Sequence, residues 1–304
     1  MCADAAGIAE ASRRILAGEP VAVPTETVYG LAADATNPTA VASIYKAKGR
    51  PSFNPLIVHV ADLAAAEAIG VFDAKARQIA QTYWPGPLTL IVPARSASGI
   101  APEVVAGLLT IAIRVPSHVV MRTLLEAVRR PLAAPSANAS GRISPTSAGH
   151  VLQTLSGRIG MVLDDGATED GLESTIVDAT SWTILRPGPI TREMLGGVIN
   201  GEGLEVKSVS APGMLPSHYA PRKSVRLEAD TAQANEWLIG FGSVNGHATL
   251  SQSGNLAEAA ANLFACLHEA DRQSRGVIAI APIPHHGLGI AINDRLRRAA
   301  ATRE

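Results

Sequence analysis

The stretch from Pro20 to Val60, PVAVPTETVYGLAADATNPTAVASIYKAKGRPSFNPLIVHV, constrains the chain most. Its ends, PVAV and PLIVHV, are short unbroken apolar runs that suit buried strands. Between them lie a polar Thr-Glu-Thr turn and then a short helix. Asn37 is the N-cap candidate, Pro38 suits the first helical position, where a missing N–H costs nothing, and Gly49 sits just past the end. Three cations crowd that end: Lys46, Lys48 and Arg50. They repel one another, so either an anion compensates them or they are solvated charges favoured by the C-terminal dipole. Thr25, Glu26, Thr27 and Tyr29 on the loop leaving the first strand favour the anion, because loops at strand ends carry the binding groups of α/β sheets.

At 304 residues and 47% apolar content, the chain can form one large domain or two ordinary ones. A net charge of −1 supplies no global basic field, so any direct contact with RNA has to be a local patch. Cys2 and Cys266 make neither a disulfide framework nor a zinc spacing, which fits a reduced, cytoplasmic setting. No basic-then-apolar leader is visible and no apolar run has membrane-spanning length, so no membrane association is expected.

Along the chain, residues 4–17 read as an amphipathic helix capped by Asp4 and stopped by Gly18. Asp62 caps an alanine-rich helix, and another covers 73–83. A Pro-Gly-Pro turn leads into a strand over 88–92, and TIAIRV over 110–115 is a further strand. Arg114 inside that apolar strand is either paired with a core carboxylate or a clamp for a carboxylate substrate. His118, a surface or capping histidine, opens a helix to Val128. PLAAPSANASG is a strand running into a loop, where Ser136, Asn138 and Ser140 form either an ordinary turn or a ligand loop, and Gly141 permits an unusual backbone angle. Ser144, before Pro145, is the cap candidate for a helix ending at Leu155. VLDDG reads as a strand whose Asp164 and Asp165 are turn formers, and no metal ligands are assigned. WTILRPGPI is a strand ending at Arg186, either a surface charge or a second phosphate cation, and TREML is a short closing helix.

This divides the chain into residues 1–197, a Gly- and Ser-rich linker over 198–222, and a small α/β unit over 223–304. His218 and Tyr219 in the linker gain little from exposure to water, so they are expected to dock. SVRLEA, ANEWLIGFG and GVIAIAPI are strands, LAEAAANLFACLHEAD is an amphipathic helix, and IAINDRLRRAA is a basic terminal helix. Gly240-x-Gly242 lacks the rest of a nucleotide fingerprint, His285-His286 lacks partner ligands, and Arg295, Arg297, Arg298 and Arg303 read as solvated.

PTETVYGL, KGRP followed by NPLIVHV, and APSANASG over 134–141 resemble the YrdC-type threonylcarbamoyl-AMP synthase family, with its Lys-x-Arg and Ser-x-Asn signatures at Lys48-Gly49-Arg50 and Ser136-Ala137-Asn138. Glu173 to Asp178 resembles the family's ESTIVD segment, PGMLPSHYAP over 212–221 its linker in the longer two-domain members, and IPHHGLGIAINDRLRRAA over 283–300 the end of their extra domain. The resemblance implies a twisted mixed sheet with flanking helices around a concave basic cleft, plus a smaller Rossmann-like α/β domain. It also implies that ATP, L-threonine and bicarbonate give threonylcarbamoyl-AMP and pyrophosphate, with Mg²⁺ held mainly by the ATP phosphates. The product would pass to a tRNA threonylcarbamoyltransferase that modifies tRNAs reading codons that begin with A.

Residue by residue, the resemblance makes Lys48 and Arg50 the charge-stabilising pair. It assigns Thr27, His59, Arg114, Ala134 and Ser174 to threonine, and Arg50, Asn54, Thr110, Ser136, Asn138, Ser144, Arg186 and Tyr219 to ATP. No G-x-x-x-x-G-K-[ST] loop and no G-x-S-x-G elbow occurs, and this chemistry needs neither. The alternatives are a non-catalytic RNA-binding module and a carbamoyl-transfer enzyme.

Overall fold

The computed structural model of the chain describes residues 1–199 and 218–301. Most of the linker and Arg303 therefore lie outside the described residues. The strands are β1 (Val21–Val23), β2 (Gly30–Asp34), β3 (Ile57–His59), β4 (Leu88–Pro93), β5 (Thr110–Arg114), β6 (Leu132–Ala133), β7 (Thr175–Asp178), β8 (Thr183–Arg186), β9 (Ser224–Arg226), β10 (Glu236–Gly240), β11 (Ala248–Thr249) and β12 (Val277–Ile280). The helices are α1 (Ala5–Leu16), α2 (Pro38–Lys48), α3 (Leu63–Ile69), α4 (Ala74–Tyr83), α5 (Pro102–Val105), α6 (Val119–Val128), α7 (Ala148–Leu155), α8 (Arg192–Leu195), α9 (Leu256–Arg272) and α10 (Leu288–Ala300).

Eight strands form one mixed sheet in the order β1-β2-β6-β3-β5-β4-β7-β8, with β3/β5 and β4/β7 parallel and the other pairs antiparallel. The second sheet, β11-β10-β12-β9, is parallel throughout, and α9 and α10 pack on it. The fold is thus a large mixed α/β sheet with a smaller α/β unit.

Local chemistry starts the helices where expected. Asp4, Asn37, Asp62 and Asp73 each accept an N-terminal N–H of the helix that follows. Gly49 ends α2 at φ +60, a left-handed angle that leaves Arg50 free to turn back under the helix. His118 opens α6 as read, partly exposed and without a capping hydrogen bond. Two expectations fail. α7 is capped by Ser147, not Ser144, because the Ser147 side chain is the one that accepts His150 N. VLDDG contributes only isolated bridges, Ala22 with Val162 and Cys2 with Asp164, because it crosses the sheet edge without a ladder.

The two units share apolar packing. Val28, Ile143 and Leu172 of the first are buried in the core formed by α9, β10, β12 and α10. Burying a leucine such as Leu172 is worth about 2 kcal/mol. Gly171 meets α9 so closely that an added Cβ would lie 2.5 Å from Ala260 O, and its φ of +67 also favours glycine.

Candidate active site

The loop between β1 and β2 starts the site. Thr25 Oγ1 donates to Val28 O at 2.6 Å and lies 2.9 Å from Thr27 Oγ1, a tight turn that aims Thr27 inward. Arg114, at the end of β5, donates to Thr27 Oγ1 at 2.9 Å and to Gly86 O at 3.2 Å, and lies 2.7 Å from Glu26 Oε1. The pairing of Arg114 with a core carboxylate is therefore real, and the same side chain also faces a cavity. Burial alone would raise the Glu26 carboxyl, but the charge and hydrogen bond of Arg114 and the Ser117 N–H outweigh it and hold the group at about 2. His59 sits beside Arg114 in the β3/β5 register, and burial followed by the Arg114 charge takes it down to about 3, so it is neutral at physiological pH.

The second wall comes from the turn after α2 and the loop after β6. Lys48 is buried, and its Nζ donates to the carbonyls of Ser136 and Asn138, while its own carbonyl accepts Ser140 N at 2.8 Å. Burial and then the Arg50 charge pull its pKa well below the usual lysine value. Arg50 donates to Asn54 O at 3.1 Å, Asn54 Oδ1 at 2.6 Å and Pro55 O at 2.7 Å, and burial brings it down to about 10. Asn138 donates to Ala139 O and Arg142 O, which folds the loop back on itself.

The third wall is the segment entering β7. Ser174 Oγ lies 2.7 Å from Thr89 Oγ1, and Arg186 donates to Ser174 O at 2.9 Å and to Ser174 Oγ at 3.1 Å. Glu173 accepts from Ser144 Oγ and, at 2.8 Å, from Arg295 Nε. From the linker, His218 and Tyr219 close the cavity, and both are buried. Tyr219 carries φ +60 and its hydroxyl has no hydrogen-bond partner among the described residues, so it is a strained, unsatisfied group at a site wall.

These walls enclose about 50 Å³. Thr27, Arg50, His59, Arg114, Ala134, Ser136, Ser174, Arg186 and Tyr219 line the cavity. Lys48, Asn54, Asn138 and Ser144 stand behind it, bracing Ser136, Arg50, the Ser136–Gly141 loop and Glu173 respectively. Thr110 is neither lining nor bracing. It pairs with Pro93 at the start of β5, four residues from Arg114, so about 13 Å separates the two along the strand.

Sequence reasoning gave no site role to Glu173 or Arg295, and it placed Glu26 on the loop without identifying it as the carboxylate that pairs with Arg114. Arg295 is 0% exposed rather than solvated, because α10 turns it inward onto Glu173 and Asp294. Its signal was placement on the apolar stripe Ile292–Leu296, which the surrounding arginines masked. The buried cations Lys48, Arg50, Arg114, Arg186 and Arg295 outnumber the buried carboxylates Glu26, Glu173 and Asp294, so the region is electropositive. Among the described residues, no group of three or more His, Cys, Asp or Glu is placed to hold a metal ion.

Residues 13–188 match the family Sua5-YciO-YrdC, described as telomere recombination, and residues 190–301 match the threonylcarbamoyl-AMP synthase C-terminal domain. The threonylcarbamoyl-AMP synthase of Pyrococcus abyssi is 40% identical, over 94% of this chain and 92% of its own length. That of Bacillus subtilis is 38% identical, over 97% and 93%. The crystal structure of P. abyssi Sua5 complexed with L-threonine superposes with a TM-score of 0.88 at 37% identity, covering 96% of this chain and 94% of that one. With both regions matched in order and nearly the whole chain aligned, this chain belongs to the two-domain threonylcarbamoyl-AMP synthase family.

Proposed function

We propose that this chain makes L-threonylcarbamoyl-AMP from L-threonine, bicarbonate and ATP, releasing pyrophosphate. The observation that carries this reading is one cavity with two chemically different ends. Thr27 and His59 neighbour Arg114 on one side, Arg50, Arg186 and Tyr219 stand within electrostatic reach of one another on the other, and Ser174, which accepts from Arg186, lies where the two sides meet. The first end suits a small amino acid. Neutral His59 and the hydroxyls of Thr27 and Ser174 offer hydrogen bonds, while Arg114, held in place by Glu26 behind it, offers a guanidinium to the amino-acid carboxylate. The second end suits phosphates, with the Arg50 guanidinium held in place by three acceptors.

In this reading, the threonine amine attacks the carbon of bicarbonate, a C–O bond breaks, and water leaves to give a carbamate. A carbamate oxygen attacks the α-phosphorus of ATP, the bond from that phosphorus to the bridging oxygen breaks, and pyrophosphate leaves. No protein nucleophile is required. The protein orients the two substrates and stabilises charge through preset donors. Glu26 and Glu173 are already paired with arginines, so Mg²⁺ would be held mainly by the ATP phosphates, where it would offset their charge.

The division into 1–197, 198–222 and 223–304, a cytoplasmic location, and transfer of the product to a tRNA threonylcarbamoyltransferase belong to the same reading. No helix among the described residues is long and apolar enough to cross a membrane. The test is pyrophosphate release from MgATP with threonine and bicarbonate omitted in turn. Release that needs both supports the reading. Release indifferent to both, or none from a folded protein that binds ATP, overturns it. A carbamoyl-transfer enzyme and a non-catalytic RNA-binding module are not favoured, since the family match runs through both regions of the chain.

A further inference from the structure

Arg295 stands on α10, in the second unit, but it reaches the wall of a cavity in the first. Its Nε donates to Glu173 Oε2 at 2.8 Å, its Nη1 to Asp294 Oδ2 at 2.8 Å, and its guanidinium carbon lies 5.1 Å from the centre of the Tyr219 ring. Phe264 of α9 stacks on the same ring at 5.7 Å. Glu173 lines the cavity together with Arg50 and Arg186, and its other oxygen accepts Ser144 Oγ.

A buried carboxylate beside arginines that bind phosphate competes with the phosphate for them, and burial strengthens that attraction. Ser144 engages one oxygen of Glu173 without supplying charge. Arg295 engages the other with a full positive charge and a directed N–H. Its contact with Tyr219 serves the same end of the cavity, because a tyrosine at φ +60 keeps that backbone only while its surroundings hold it.

We propose that Arg295 is a positioning residue of the nucleotide end of the site: it keeps the Glu173 charge off Arg50 and Arg186 and supports the Tyr219 ring beside them. This deepens the adenylate-forming reading and rests on it for the identity of the nucleotide. The second unit is then a working part of the site and not an appendage.

The experiment compares wild type, Arg295→Met, Arg295→Lys, Glu173→Gln and the double variant Arg295→Met/Glu173→Gln. Each is read by the Kd of a non-hydrolysable ATP analogue, by KM for ATP and for threonine, and by Tm. Arg295→Met should weaken the analogue about tenfold and raise the ATP KM alike, with a smaller change for threonine, since it leaves the Glu173 carboxylate buried without its charged partner while Asp294 keeps Arg298. Arg295→Lys should fall between, as it keeps the charge and loses the fork. The decisive variant is the double one. Neutralising Glu173 removes the competitor, so analogue affinity should recover toward wild type although Tm falls further.

A purely structural role predicts the reverse: the second change adds to the loss of affinity. Arg226→Ala, which breaks the Arg226–Glu236 pair inside the second unit, is the control, expected to lower Tm without moving the analogue Kd. Wild-type affinity in Arg295→Met, additive loss in the double variant, or an equal affinity loss in Arg226→Ala overturns the proposal. If Arg295→Met does not fold, the same comparison with Arg295→Lys, alone and with Glu173→Gln, decides. Wild-type protein that binds the analogue but releases no threonine-dependent pyrophosphate overturns the reaction and leaves the role of Arg295 to be judged on Kd.

Discussion

Lys48 and Arg50 are two residues apart and do different work. Lys48 ties the carbonyls of Ser136 and Asn138 together behind the cavity, whereas Arg50 faces into it. Arg50→Ala should therefore lower threonine-dependent pyrophosphate release by about 100-fold or more. It should also cost about 1–3 kcal/mol of stability, because Asn54 Oδ1 and two carbonyls lose their donor. Urea titration and the release assay on one preparation separate the two effects. Glu26 sets an acid limit. Its folded pKa of about 2 lies below the unfolded value, so its contribution is complete above about pH 4.5 and is lost as pH falls toward 2. Glu26→Gln should flatten that acid limb of the stability curve, and it should destabilise the protein at neutral pH by leaving Arg114 buried without its counter-charge. Denaturant midpoints measured from pH 7 to pH 3 check both.

At the scale of elements, the segment from Gly171 to Asp178 joins the two units. Gly171 touches α9, Leu172 enters the second core, Glu173 receives Arg295, Ser174 faces the cavity, and β7 begins at Thr175. Gly171→Ala should cost about 1–3 kcal/mol, since it adds an atom 2.5 Å from Ala260 O at a left-handed backbone angle. It should also raise the ATP KM, because the displaced helix shifts the support of Glu173. Tm and KM measured together test this, and an unchanged KM at reduced Tm would separate the interface from the site. The elements differ in legibility for a physical reason. Caps at Asp4, Asn37, Asp62 and Asp73 are local hydrogen bonds and could be read directly. β2, Gly-Leu-Ala-Ala-Asp, went unread because it is buried on both faces among small residues, with neither alternation nor β-branched side chains. β11, two residues long, offers no period at all.

Across the whole molecule, a stacked histidine pair helps join the units. His150 on α7 and His268 on α9 lie 3.9 Å apart at 15°, and the ring nitrogens of His268 reach Gln153 at 3.0 Å and Ser144 O at 3.1 Å. Burial and the Arg272 charge bring His150 down to about 4. Burial, His150, and Arg272 bring His268 down to about 3, despite the Ser144 carbonyl. Both folded values lie below the ordinary histidine value of about 6.5. The contribution of the pair is therefore complete above about pH 6.5 and declines as pH falls toward 4 and 3. Hydrogen exchange of α7 and α9 should accelerate together over that window, and His268→Gln should weaken the dependence. Loosening in α9 alone would show that the pair does not couple the units.

The sequence by itself determined the helix starts at Asp4, Asn37, Asp62 and Asp73, the long apolar strands, a larger and a smaller α/β region and the cation-rich turn at Lys48 and Arg50. All of these rest on interactions within a few residues or on the periodicity of burial. Only the tertiary structure decided which of those polar groups meet. It turned Arg295 from a presumed surface charge into the partner of Glu173, 122 positions away, and set Lys48 behind the cavity and Thr110 outside it. A side chain's charge is written in the sequence. Whether that charge is solvated, paired or aimed at a ligand depends on which distant element packs against it, and the shared core of the two units settles that.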